Sequence, residues 1–150
     1  MSLKDPFSRQ EAEAIIADMT AHYPAPIANY VEFKFFTGLR TSESFGLHWG
    51  DIDLAGKHLL VHRAIVRGVE KLNTKTNTAR HVILNSRALA AVQRQREHTQ
   101  MRNEHVFLDP RYNTPWFEER AFRRSYWGPT LRRLGIRYRP PTTHATPTQP

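Results

Sequence analysis

The sequence predicts an α+β domain, mostly helical, with a small three-stranded antiparallel sheet near its middle. Apolar residues recur at helical spacing at both ends of the chain, and alternate with period two between His58 and Asn85. No stretch repeats another, so the order is helices, one sheet, then helices again. With 150 residues, of which 39% are hydrophobic and 11% aromatic, the chain is long enough to bury one core and too apolar for disorder.

Each element has its own signal. Ser8-Arg9-Gln10-Glu11 is a capping box, followed by an apolar stripe of Ile15, Ile16 and Met19. The first helix therefore starts at Arg9 and stops before Pro24 and Pro26. From Ile27 to Thr37, apolar residues fall on almost every face, which marks a helix buried in the core. Gly38 is its C-cap. A short helix follows from Thr41 to His48. His58–Val66, Arg67–Lys71 and Arg80–Asn85 read as the three strands, with turns at Ala55-Gly56, Gly68 and 73–78. Ser86 caps the next helix, which packs through Ala88, Leu89, Ala91 and Val92. Val106-Phe107-Leu108 is extended. Phe117–Leu134 is helical, with a kink or break at Gly128-Pro129. From Arg139 the residues turn to proline and threonine, a composition expected to be disordered or loosely laid on the surface.

Composition also excludes function classes. Without cysteine there is no disulfide framework, thiolate metal site or cysteine nucleophile, and a reducing, cytoplasmic setting is expected. No apolar run is long enough for a membrane span, so no membrane partner is expected. No glycine-rich phosphate loop or GxSxG motif supports nucleotide hydrolysis or α/β-hydrolase chemistry. His58 and His62 share a strand face but lack a third ligand at matching spacing, so neither metal nor cofactor is expected. The net charge of +8 points to a polyanion, most simply nucleic acid. Arg120, Arg123, Arg124, Arg132, Arg133 and Arg137 are the candidate phosphate contacts, interleaved with Phe122, Tyr126 and Trp127.

The most telling segment is Thr37-Gly38-Leu39-Arg40-Thr41-Ser42-Glu43, followed by Phe45, Leu47, Trp49, Asp51 and Asp53. A core helix ends at a glycine, presents one arginine, and a second helix begins, which holds a guanidinium rigidly for a phosphate. In order and spacing the segment resembles the first arginine box of the tyrosine recombinases, the phage-integrase family. The resemblance spans 5–139 as a catalytic domain and leaves 140–150 as the tail. It implies that Arg40 clamps a scissile DNA phosphate, with Glu43 orienting it from behind. Thr74-Lys75-Thr76-Asn77-Thr78-Ala79-Arg80 resembles the family's hairpin, which implies Lys75 as general acid to the departing 5′ oxygen. Lys71 is the nearby alternative.

The resemblance fails after Pro141. The family's second box should read near H/Y-x-x-R-H-T and be followed by a tyrosine nucleophile. Here the residues are Thr142-Thr143-His144-Ala145-Thr146-Pro147, with Pro147 in the arginine's place, and no tyrosine follows Tyr138. One coding of Tyr-Asn-Thr-Arg-His-Thr-Tyr-Ala-Thr, stripped of its first base, translates as Thr142 to Pro150. A one-base deletion near Pro141 is therefore the expectation, and with it a chain that binds DNA but does not recombine it alone. The alternatives are a binding module that blocks or regulates an intact integrase, and an enzyme completed in trans. Self-association through apolar surface left uncovered is a further expectation.

Overall fold

In a computed structural model of the protein, residues 5–72 and 79–145 are described. Helix α1 (Arg9–His22) begins at the capping box: Ser8 Oγ accepts from Glu11 N–H, and Glu11 Oε1 accepts from Ser8 N–H. Helix α2 (Ala25–Thr37) starts earlier than Ile27, because Pro26 fits the first turn, where its missing N–H costs nothing. Gly38 ends it in the left-handed region at φ 72°, donating its N–H to Lys34 O. Helix α3 (Thr41–Gly46) stops short of His48, and a 3-10 turn at Trp49–Asp51 follows.

The sheet is antiparallel and small, as expected, but its strands are drawn differently. Strands β1 (Ile52–Asp53), β2 (His58–Val61) and β5 (Arg80–Ile83) form the three-stranded sheet in the order β1-β2-β5. Leu59 lies opposite Ile52 on one side and Val82 on the other. The expected long strand from His58 to Val66 breaks at His62. Asp51 accepts from His62 Nε2 at 2.8 Å and Arg63 Nε at 2.9 Å, and the chain turns there into a separate hairpin. That hairpin pairs β3 (Arg63–Val66) with β4 (Val69–Leu72). Arg67 is a turn residue, not a strand start: it and Gly68 have φ 51° and 76°, the double left-handed geometry of a two-residue hairpin loop.

Helix α4 (Ser86–Thr99) is capped by Asn85, whose Oδ1 accepts from Ala88 N–H, so Ser86 is its first residue rather than its cap. Strands β6 (Leu108–Asp109) and β7 (Thr114–Pro115) form a short ribbon. Helix α5 (Glu119–Phe122) then runs without a break through a π-turn at Arg123–Trp127 into α6 (Gly128–Leu134). Gly128 N–H reaches back to Arg123 O, and the widened turn lets Pro129 enter a helix that it would otherwise kink.

Helix α2 is the centre of the core. Tyr30 stacks on Phe45 and meets Phe107 and Phe122 edge-on. Its polar residues are satisfied by α4: Asn29 donates to buried Gln95, and Glu32 is held by Arg87 and Arg94. The stretch after Arg139 is tied down as far as Ala145. Trp127 Nε1 donates to Arg139 O at 2.7 Å, and Phe7 N–H to His144 O at 2.9 Å.

Candidate functional site

Arg40 sits where the sequence puts it, in extended backbone between α2 and α3, with Leu39 buried beneath it. Thr37 Oγ1 and the Gly38 cap close the end of α2, so the junction is rigid on its upstream side. The Arg40 side chain is exposed and has no ion pair among the described residues. A guanidinium offers no acceptor, so it takes no part in capping α3.

Glu43 works on Arg40 through the main chain. Its Oε1 accepts from Arg40 N–H at 2.9 Å, while the whole carboxylate is gripped by the fork of Arg80 at 2.9 and 3.0 Å. Burial alone would push this carboxyl up. Arg80's hydrogen bonds, the Arg40 N–H and the charges of both arginines hold it below the usual carboxylate range. Arg80 opens β5, so this pair joins the Arg40 helix to the start of that strand. Lys75 lies outside the described residues. Lys71, its alternative, is exposed on β4.

Two residues that the sequence reading missed brace Arg40's neighbour Thr41. Lys34 Nζ donates to Thr41 Oγ1 at 2.8 Å and to Pro141 O at 2.9 Å. Thr41 in turn donates to Glu119 Oε2 at 3.0 Å. Burial pushes the Lys34 ammonium down to about 8, with the Glu119 charge opposing the shift. In the sequence, Lys34 is only a cation in the last turn of a helix, where it suits the helix dipole. Nothing local signals Arg80 either, since its partner lies far away in the chain.

The arginine cluster divides into two groups. Arg133 pairs with Asp18 at 2.6 Å, Arg137 with Asp5 at 2.5 Å and Arg123 with Glu119 at 3.9 Å. Arg120, Arg124 and Arg132 are exposed and have no carboxylate partner among the described residues. Arg120 and Arg124 border a cleft of about 620 Å³ together with Arg111, Tyr112 and Phe117. A second cleft of about 310 Å³ runs from Thr41 and Ser42 past Arg67 to Glu118, which lines both. The cleft that starts at Thr41, next to Arg40 in the chain, thus meets the one bordered by Arg120 and Arg124 at Glu118, and Arg40 itself lines neither. His58 and His62 turn to different carboxylates, Asp53 and Asp51, and form no joint site.

No helix among the described residues is long and apolar enough to cross a membrane. The fold is similar to several solved structures. The Tn1549 transposon integrase (residues 82–397), solved with circular intermediate DNA, matches with a TM-score of 0.75 at 16% identity, over 88% of this chain and 46% of that one. The XerA recombinase matches with a TM-score of 0.71 at 18% identity, over 91% and 46%. A lambda integrase tetramer bound to a Holliday junction matches with a TM-score of 0.64 at 17% identity, over 91% and 37%. The chain therefore spans less than half the length of these relatives. No functionally curated protein matches it. The sequence itself fits the model of the "Phage integrase family" over residues 7–146. That match takes in the Arg40 box, the hairpin and the arginine-rich helix together, and the chain belongs to the phage integrase family.

Proposed function

We propose that this chain is the DNA-phosphate-holding part of a site-specific recombinase catalytic domain. Arg40 grips the scissile phosphate and stabilises the charge that builds on its non-bridging oxygens. Lys75 delivers a proton to the departing 5′ oxygen. Arg120, Arg124 and Arg132 hold the flanking backbone. Arg137 joins them by exchanging the exposed Asp5 carboxylate for phosphate, since such a surface pair is weak, while Arg123 and Arg133 reach DNA only by leaving the less exposed Glu119 and Asp18. The observation that carries this reading is the exposed Arg40, without an ion pair among the described residues, on a junction braced by Glu43, Arg80, Lys34 and Glu119. The solved relatives bound to transposon or Holliday-junction DNA support DNA as the ligand.

These 150 residues hold no tyrosine beyond Tyr138 and have Pro147 where the family's second arginine belongs. These residues bind DNA, and a covalent phosphotyrosyl link would need a tyrosine hydroxyl from outside them. A one-base frame shift near Pro141 accounts for residues 142–150. The neighbouring frame of the gene must then encode an arginine, a histidine and a tyrosine, and its failure to do so overturns that explanation.

DNA affinity measured by anisotropy over a range of salt tests the main reading. Wild type is expected to lose affinity steeply with salt, and Arg40→Ala to bind more weakly with a shallower slope. An Arg40→Ala variant with an unchanged slope removes the clamp. A second reading is a non-catalytic module that occupies recombination sites and regulates an intact integrase, favoured by Pro147 in the place of the family's second arginine. A salt-dependent footprint on one defined site, with no covalent adduct when an intact integrase is added, selects it.

A further inference from the structure

His48 and His105 form a site that lies apart from the phosphate-binding residues and from the reading built on them. Trp49 N–H donates to Glu104 O at 2.8 Å and Val106 N–H to Leu47 O at 3.0 Å. The two histidines are thereby opposed in an antiparallel bridge. This is the close, non-hydrogen-bonded kind of pair, which brings side chains on one face nearest. Their ring centroids are 4.5 Å apart, and the side chains are only 10% and 9% exposed.

Two carboxylates converge on the rings. Glu70, from β4, spans both: its Oε2 lies 2.9 Å from His48 Nε2 and its Oε1 2.5 Å from His105 Nε2. Glu104 Oε1 stands 3.8 Å from His48 Nδ1 on an exposed side chain. His105 Nδ1 faces Asn103 Oδ1 at 3.0 Å, so an ion bound at that nitrogen takes the place of this contact. One ligand atom each from His48, His105 and Glu104 lie within 4.8 Å of one another.

We propose that His48, His105 and Glu104 bind a divalent transition-metal ion of the zinc type. Two imidazoles and a carboxylate are the donors that Zn²⁺ and Co²⁺ accept, in tetrahedral geometry with solvent in the remaining position. The main-chain bridge fixes the two histidines, and the exposed Glu104 is the ligand with room to swing in. Glu70 is the carboxylate that orients the rings from their Nε2 side. The ion ties the His48 segment to Glu104 and His105, and Glu70 links both rings by hydrogen bonds to the β3–β4 hairpin. His58 and His62, from which the sequence led to no metal site, turn instead to Asp53 and Asp51.

The test is titration of the chelator-stripped chain with Zn²⁺ by calorimetry and with Co²⁺ by visible absorption, at fixed pH. Wild type and the exposed control His22→Gln are expected to bind one ion, with tetrahedral Co²⁺ bands and a raised Tm. Glu104→Gln, whose site is exposed enough to leave the fold intact, is expected to weaken binding by at least about tenfold. His105→Gln is expected to abolish both the bands and the Tm shift. Absence of stoichiometric binding by folded wild type overturns the proposal. So does equal binding by wild type, Glu104→Gln and His105→Gln. A histidine pair that titrates with pH but takes up no metal overturns it in favour of a proton-filled cluster.

Discussion

Glu43 and Arg80 form a forked ion pair, with Nη1 2.9 Å from Oε2 and Nη2 3.0 Å from Oε1. It joins the first turn of α3, beside Arg40, to the first residue of β5. The Glu43 side chain is only 12% exposed, so its charge depends on that partner. Arg80→Ala is therefore expected to lower stability by about 1–3 kcal/mol in urea denaturation, because it strands a half-buried carboxylate. Glu43→Gln combined with Arg80→Ala should cost less than the two single changes added together. Strict additivity would mean that the pair is not coupled.

Arg40→Ala is expected to separate binding from folding. Its side chain is exposed and has no ion pair among the described residues, so stability should stay within about 0.5 kcal/mol of wild type. DNA affinity should fall, and the slope of log affinity against log salt should drop by about 1. Denaturation and anisotropy on the same preparation check both halves.

Lys34 predicts a rise of stability in alkali. Its ammonium titrates at about 8 in the folded chain and at 10.5 when free. Between those values the unfolded chain binds more protons, so stability increases as pH climbs from about 8 to about 10.5. Below about 8, both states carry the charge and the contribution is absent. Lys34→Met should flatten that limb of a stability–pH curve, and an unchanged limb would assign the rise to another group.

Gly46 has no room for a side chain. A Cβ there would stand 2.9 Å from the main-chain N and Cα of Ala64, on β3. Gly46→Ala is expected to cost about 1–3 kcal/mol, because backbone on both sides must move. Gly50→Ala, where the same position is open, should cost far less, and thermal melts of the two variants make the comparison.

What the sequence disclosed was mostly local. The Ser8–Glu11 capping box, the Gly38 cap and the Gly68 turn each depend on residues within a few positions, and all three form. The all-round apolar character of α2 announced its place in the core. The break at His62 was not legible, because Asp51 causes it from outside the strand. The same holds for the site. Arg40 stood out from its own neighbours, but Arg80, Lys34 and Glu119 gain their roles from long-range packing. The irregularity read at Gly128-Pro129 takes the form of a π-turn just before that pair, through which the helix continues.

Lys34 also fixes a point of departure. A single amine grips both the threonine beside Arg40 and the carbonyl of Pro141, at positions far apart in the chain. Residues 142–145 therefore set out from beside Thr41, Arg40's neighbour in the chain, and are held again where Phe7 N–H meets His144 O. Insertions in the loops between these two anchors can lengthen the excursion without moving its landing place, provided that this one cation keeps hold of both.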